Sequence, residues 1–176
     1  YHKWYRPDLQ GIVIVGDIDV DAVEAKLKTI FADVQKAVNP AERVYYPVAD
    51  NKEPIVAIGT DKEVDDPSIE VYFKQDATPD SEKNNVGYLA SQYMTSMITS
   101  MLNARLSELT QSANPPFTRA YSSYGNFFVA KTKEALNLSA SSKADGIEKA
   151  LKVLLQEAER ARRFGFTESE YARARA

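Results

Sequence analysis

The chain has no cysteine and one histidine, His2, in 176 residues. The first absence removes disulfides, thiolate metal sites and cysteine nucleophiles together. The second removes most of what is left of histidine chemistry. Catalytic zinc sites usually draw on two or three histidines, and a Ser–His–Asp triad needs one held by packed neighbours. His2 sits at a terminus, where order is least expected, and is read as a partly exposed side chain without a chemical role. Serines recur at Ser122-Ser123 and Ser139 to Ser142, but no base is at hand to activate them. No apolar run approaches about 18 residues, so nothing in the sequence spans a membrane. Basic charge is not in excess either: 22 basic against 25 acidic residues leave a net charge of −3. Nucleic acid is therefore excluded as a main partner, since phosphate binding needs a basic surface. No glycine-rich phosphate loop is found. Gly16-Asp17 falls between a strand and a helix pattern but lacks the further glycines of a dinucleotide fingerprint.

What is present is an ordinary globular balance, 44% hydrophobic and 27% charged. The length suits one domain able to bury its own core. The absence of cysteine fits either a cytoplasmic or a periplasmic home.

The chain opens on Tyr1-His-Lys-Trp-Tyr-Arg-Pro7, which reads as the end of a helix whose start lies elsewhere. Residues 10–17 hold the apolar run Ile12-Val-Ile-Val15 and predict a buried strand. Asp19 is placed to cap a helix with the stripe Val20, Val23, Leu27, Ile30, Phe31 and Val34. Glu24 and Lys28 pair on its outer face. Residues 55–60 predict a second apolar strand, and residues 69–75 alternate as a half-buried one. The longest helical pattern runs over residues 84–110. Its three methionines, Met94, Met97 and Met101, offer either an adaptable binding surface or core packing, and their helical spacing favours the core. Residues 117–124 and 127–130 predict strands about a break at Gly125-Asn126, a turn or a bulge. Residues 134–142 alternate again. A helix with the stripe Ile147, Leu151, Leu154, Leu155 and Ala158 follows. Thr167-Glu-Ser-Glu170 is a capping box that starts one more. Together these predict an α+β fold, a mainly antiparallel sheet with helices on one face.

Acidic groupings do not make a metal site. Asp17, Asp19 and Asp21 lack the glycine and distal glutamate of a calcium loop. Asp61, Glu63, Asp65 and Asp66 read as a solvated turn. The ten tyrosines, Tyr45-Tyr46, Tyr121 and Tyr124 among them, could line a peptide surface, but strand propensity accounts for most.

Four segments, in order, carry a resemblance. They are Tyr5-Arg6-Pro7 with Ile12-Val-Ile-Val-Gly-Asp-Ile-Asp19, then Arg105-Leu-Ser-Glu-Leu109, then Pro115-Pro-Phe117 leading to Ala120-Tyr-Ser-Ser-Tyr124, and Phe164-Gly-Phe-Thr-Glu-Ser-Glu170. The chain resembles the non-catalytic second domain of insulinase/pitrilysin-type zinc metallopeptidases, the domain that follows the one bearing H-x-x-E-H. The resemblance implies a mitochondrial-processing-peptidase-like metallohydrolase fold. It implies zinc in the parent protein only, with no catalytic residue and no metal ligand in this chain. It makes residues 1–11 a junction from an upstream zinc domain and residues 12–176 a single α+β domain whose last helix is cut. Its partners would be that zinc domain, a second peptidase half or subunit, and an unfolded peptide. Its work would be to complete the half, wall the chamber and help hold substrate. In some members an arginine and a tyrosine of the matching domain reach the substrate, which points to Arg105 and Tyr121 as substrate-binding residues. A glycine-rich gripping segment known in some relatives is not expected, since residues 94–109 contain no glycine. Two alternatives stay open: a domain of an inactive family member acting as a partner or assembly subunit, and an unrelated small-ligand module with a closed apolar pocket.

Overall fold

The structure, a computed structural model, describes residues 3–64 and 66–176. His2 and Asp65, singled out above, lie outside the described residues. The chain forms two compact units, Tyr1–Val44 and Tyr45–Ala176.

The first unit is built around helix α1, Val20–Ile30. Asp19 caps it as expected, its carboxylate accepting the Ala22 N–H at 3.0 Å. Glu24 and Lys28 form the expected i,i+4 pair at 2.5 Å. Of the predicted stripe, Val23 and Leu27 are half-buried and the rest are exposed. Arg6 is the buried anchor: Nη2 donates to the Ala41 carbonyl at 2.7 Å, and Asp8 lies 3.1 Å from Nε. Residues 12–15 do not form the expected strand; they are exposed and carry no ladder. An apolar run becomes a strand only when another strand takes its N–H and C=O groups, and none is present among the described residues of this unit.

The second unit holds a three-stranded antiparallel sheet. Its strands are β1 (Ser68–Asp76), β2 (Arg119–Asn126) and β3 (Lys133–Ser141), in spatial order β1-β3-β2. Helix α2 (Val86–Thr110) joins β1 to β2; α3 (Ile147–Phe164) and α4 (Glu168–Arg175) follow β3. Register places Val71 and Ser122 on either side of Leu138, and Ile69 and Ala120 on either side of Ala140. Successive strand residues face opposite ways, so Leu136, Leu138 and Ala140 share one face. Leu102 and Leu106 of α2, Ala150 and Leu154 of α3, and Phe117 close over that face as a single apolar cluster. The fold is thus α+β with an antiparallel sheet and helices packed on one face, as the alternation in β1 and β3 predicts.

Helix α2 starts at an Asn85 cap, whose side chain accepts the Tyr88 N–H at 2.9 Å. Its 25 residues give a length of about 37 Å, more than the sheet can cover. Met101, Leu102, Arg105 and Leu106 are buried, while Val86, Leu89 and Met94 are exposed. The methionine stripe therefore runs from solvent at Met94 into the core at Met101.

Two further expectations are corrected. Residues 55–60 form no strand, and Ile55, Val56 and Ile58 are exposed. Residues 127–130 are the turn between β2 and β3 rather than a strand. There the Phe127 N–H donates to the Lys133 carbonyl at 2.9 Å, and the Ala130 N–H donates to the Phe127 carbonyl at 3.0 Å. The strand runs through the expected break, Gly125 pairing with Ala135 and Asn126 with Glu134. Phe128 takes φ +52°, a left-handed conformation that is uncommon for a bulky residue.

Candidate functional site

Arg105 lies on the buried side of α2, four residues after Met101 and one before Leu106. A guanidinium there must be met by fixed acceptors, because an unpaired buried charge is costly. The corner between α3 and α4 supplies them. Arg105 Nε donates to Glu170 Oε1 at 2.5 Å, and Nη2 donates to Glu170 Oε2 at 2.9 Å and to the Gly165 carbonyl at 3.0 Å. The Phe166 ring stacks on the guanidinium, 4.4 Å from ring centre to Cζ. The side chains of Arg105 and Glu170 are only 8% and 12% exposed. The Glu170 carboxylate is held down to about 2, first by Arg105 and then by the Thr167 N–H. The Arg105 pKa moves up through the same bond to Glu170.

Tyr121 sits elsewhere. It pairs with Ser139 in register, and its neighbour Ala120 packs against the core cluster. Its side chain therefore rises from the other, helix-free face of the sheet, where it is exposed. Arg105 lies on the helix side, so the structure does not bring the two residues together.

The helix-free face is aromatic and polar. Tyr72 packs against Phe127 edge-on at 5.5 Å and against Phe128 at 4.9 Å. Its hydroxyl donates to the Glu70 carboxylate, and that bond pushes its pKa up to about 12. Beside it lies an open depression of about 250 Å³ bordered by Tyr72, Ser123, Phe128 and Asn137. The Asn137 Oδ1 is buried there with no hydrogen-bond partner. A group with an N–H or O–H to donate would satisfy it.

Three polar clusters escaped the sequence reading. Asn103 bonds the β2 backbone in both directions: Oδ1 accepts the Ser122 N–H at 2.5 Å, and Nδ2 donates to the Ser122 carbonyl at 3.0 Å. The Ser122 hydroxyl also donates to Asn103 Oδ1 at 3.0 Å, so this serine is a packing element rather than a nucleophile. Lys133 Nζ donates to Asp50 and Asp76, each at 2.6 Å. The third is the Arg105–Glu170 pair. Glu170 is visible in the sequence as a capping residue, but its partner lies 65 positions away, with no local signal.

Among the described residues, no three histidine, aspartate or glutamate side chains converge as a metal site. Asp61 Oδ1 instead accepts the Glu63 N–H at 2.8 Å, closing its own turn. Asp19 is used as a cap. Among the described residues the carboxylates are spread over separate turns and ion pairs, and no set of them fits a catalytic zinc ion. Among the described residues no helix is long and apolar enough to cross a membrane.

Compared with known families, residues 1–176 match the model of the peptidase M16 inactive domain. The chain belongs to that family. The M16 inactive domain here is 29% identical over 113 residues to the probable zinc protease PqqL of Haemophilus influenzae, covering 61% of this chain and 11% of that protein. A zinc protease PQQL-like protein of Arabidopsis thaliana is 27% identical over 118 residues, 66% of this chain and 12% of that protein. The chain thus spans about a tenth of the length of the curated relatives it matches. In structure it is similar to the periplasmic protease PqqL from Escherichia coli, with TM-score 0.77 and 22% identity over 98% of this chain and 19% of that one. A predicted insulinase family protease from Yersinia pestis shares the fold at TM-score 0.66 and 12% identity, over 91% of this chain and 33% of that one. Two segments far apart in the sequence, Arg105-Leu-Ser-Glu-Leu109 and Phe164-Gly-Phe-Thr-Glu-Ser-Glu170, supply the two halves of one buried ion pair.

Proposed function

We propose that this M16 inactive domain serves a zinc-dependent metalloendopeptidase as its non-catalytic domain. It completes one peptidase half, walls the substrate chamber and helps hold an unfolded peptide. The observation that carries this reading is the match of the inactive-domain model over the whole chain, beside relatives named as zinc proteases. Zinc and the catalytic glutamate belong, in this reading, to a preceding domain, and a second half or subunit closes the chamber. Of the two residues the resemblance suggested for substrate, Tyr121 is exposed and free to meet a peptide. Arg105 has its fork on Glu170, so its part in substrate binding is to shape the corner behind the sheet.

The test is peptide hydrolysis by the full-length protein and by this chain alone. The full-length protein is expected to cleave unfolded peptides in a chelator-sensitive manner, with Tyr121→Ala raising KM more than it lowers kcat. This chain alone is expected to cleave nothing. Chelator-sensitive cleavage by the isolated chain would overturn the assignment. A full-length protein that binds peptide without cleaving it would favour the partner-subunit alternative.

A further inference from the structure

Strand β2 runs straight through Gly125, which pairs with Ala135. The φ of Gly125 is not positive, so the backbone there does not require glycine. Glycine inside a strand weakens it and often marks a place where another backbone comes close. A Cβ at this position would meet nothing within 4 Å. The bare position opens into the depression of about 250 Å³ on the helix-free face, and Ala135 across the ladder is small as well. Tyr72 and Phe128 border the depression as a joined aromatic wall, their ring centres 4.9 Å apart. Asn137 brings the buried Oδ1 that has no partner. An apolar wall, a bare strand position and an unmet acceptor thus lie at one place. A neighbouring stretch shows what this part of the sheet accepts. Residues 46–49 lie beside the ends of β1 and β3, held by main-chain carbonyls. The Tyr46 carbonyl accepts the Thr132 hydroxyl at 3.3 Å, and the Ala49 carbonyl accepts Lys74 Nζ at 2.9 Å. Two side-chain donors are therefore spent on main-chain carbonyls, and the acceptor left over suits a main-chain N–H.

We propose that this depression is a subsite for one residue of an extended peptide. An apolar side chain lies over Gly125 and Ala135 against the Tyr72–Phe128 wall, and the same residue donates its main-chain N–H to Asn137 Oδ1. Tyr121 stands on the same face of β2, so a peptide laid along that strand meets both. The subsite rests on the peptide-holding role proposed above and adds what that role selects: an apolar residue with a free N–H, which excludes proline.

The probes are short fluorescein-labelled Gly-Ser peptides with one central guest residue: Phe, Ser or N-methyl-Phe. Their binding to the full-length protein is followed by anisotropy, with chelator present so that no cleavage intervenes. The Phe peptide is expected to bind about tenfold more tightly than the Ser peptide, from partial burial of the ring. N-methylation should cost about fivefold through the lost hydrogen bond. Gly125→Val places methyl groups where the guest would lie. It should abolish the Phe preference and leave Ser-peptide binding and the melting temperature unchanged, since valine suits a strand. Asn137→Leu should abolish the effect of N-methylation and keep most of the Phe preference. No binding, or equal binding of the Phe and Ser peptides by the unmodified protein, would overturn the subsite. So would a Phe preference that survives Gly125→Val, or an equal cost of N-methylation with and without Asn137. A marked fall in the melting temperature of the Gly125→Val protein would show that the full-length chain fills the depression itself, and would overturn it too. If the preferences hold but the protein without chelator cleaves no peptide, the subsite stands and the peptidase reading fails. If peptides are cleaved but bound without guest preference, the peptidase reading stands and the subsite fails.

Discussion

Arg105 and Lys133 are both cations with side chains less than a tenth exposed, yet they hold their regions differently. Arg105 meets a carboxylate that is itself 12% exposed, through a two-armed fork. Lys133 meets Asp50 and Asp76, which are 75% and 87% exposed. In the first region both charges have left water and depend on each other. In the second, two hydrated carboxylates cover a lysine that they do not need. The difference teaches that the burial of the partner decides what an ion pair is worth. A desolvated pair is costly to break from one side, while a pair with wet carboxylates is screened and contributes little.

That contrast can be broken at several points. The largest effect is expected from Arg105→Met, which strands Glu170. Breaking one side of a buried pair costs about 3–5 kcal/mol, and the loss should fall on the α4 corner, read as exchange of its amides. Leu138→Ala gives the apolar benchmark. Leu138 is fully buried between both helices and the sheet, and truncation should cost about 2–5 kcal/mol. Here the whole second unit should lose protection and melt earlier, in calorimetry, rather than one corner. Acid sharpens the contrast next. Glu170 is depressed in the folded state to about 2, against an ordinary value near 4.5. Its contribution is therefore complete above that ordinary value and is lost as pH falls through the folded one. The Arg105–Glu170 pair should hold at pH 5 and weaken progressively between about pH 4.5 and 2, read as faster exchange of the amides around residues 165–171. The smallest effect is expected from Lys133→Met. Its melting curve should converge on that of the unmodified protein as salt rises, because exposed partners are screened within a Debye length. A salt-independent loss at Lys133 would erase the distinction between the two regions.

Much of the architecture is legible in local pattern. Asp19, the Glu24–Lys28 pair, the alternation of β1 and β3 and the Thr167–Glu170 box each involve neighbours within one turn or one strand. Of the expected α3 stripe, Leu154 is buried and Ala158 packs against the core, while Leu151 and Leu155 are exposed and Ala150 is buried in their place. The misreadings have a common cause. Residues 12–15 and 55–60 are as apolar as β3, but a strand is defined by a partner, and composition does not say whether one is there. Residues 127–130 are aromatic and strand-like, yet Phe128 at φ +52° turns the chain back. The Arg105–Glu170 pair was legible in its residues and not in its wiring. Arg105, Tyr121 and Glu170 all stood out, but periodicity does not say that the first and third would join across 65 positions. The opposite placement of Arg105 and Tyr121 follows from the pairing of β2 with β3, a relation that is non-local by nature.

The strand order has a consequence for synthesis. The middle strand, β3, is the last of the three in sequence, and β1 and β2 pair only with it. Among the described residues, a chain emerging from the ribosome therefore has no ladder to form until β3, residues 133–141, begins to clear the exit tunnel. Until then β1, the apolar C-terminal third of α2 and β2 wait with their edges uncovered. Long-range pairing of this kind is slow and prone to aggregation, and these elements are at their most vulnerable just before β3 arrives.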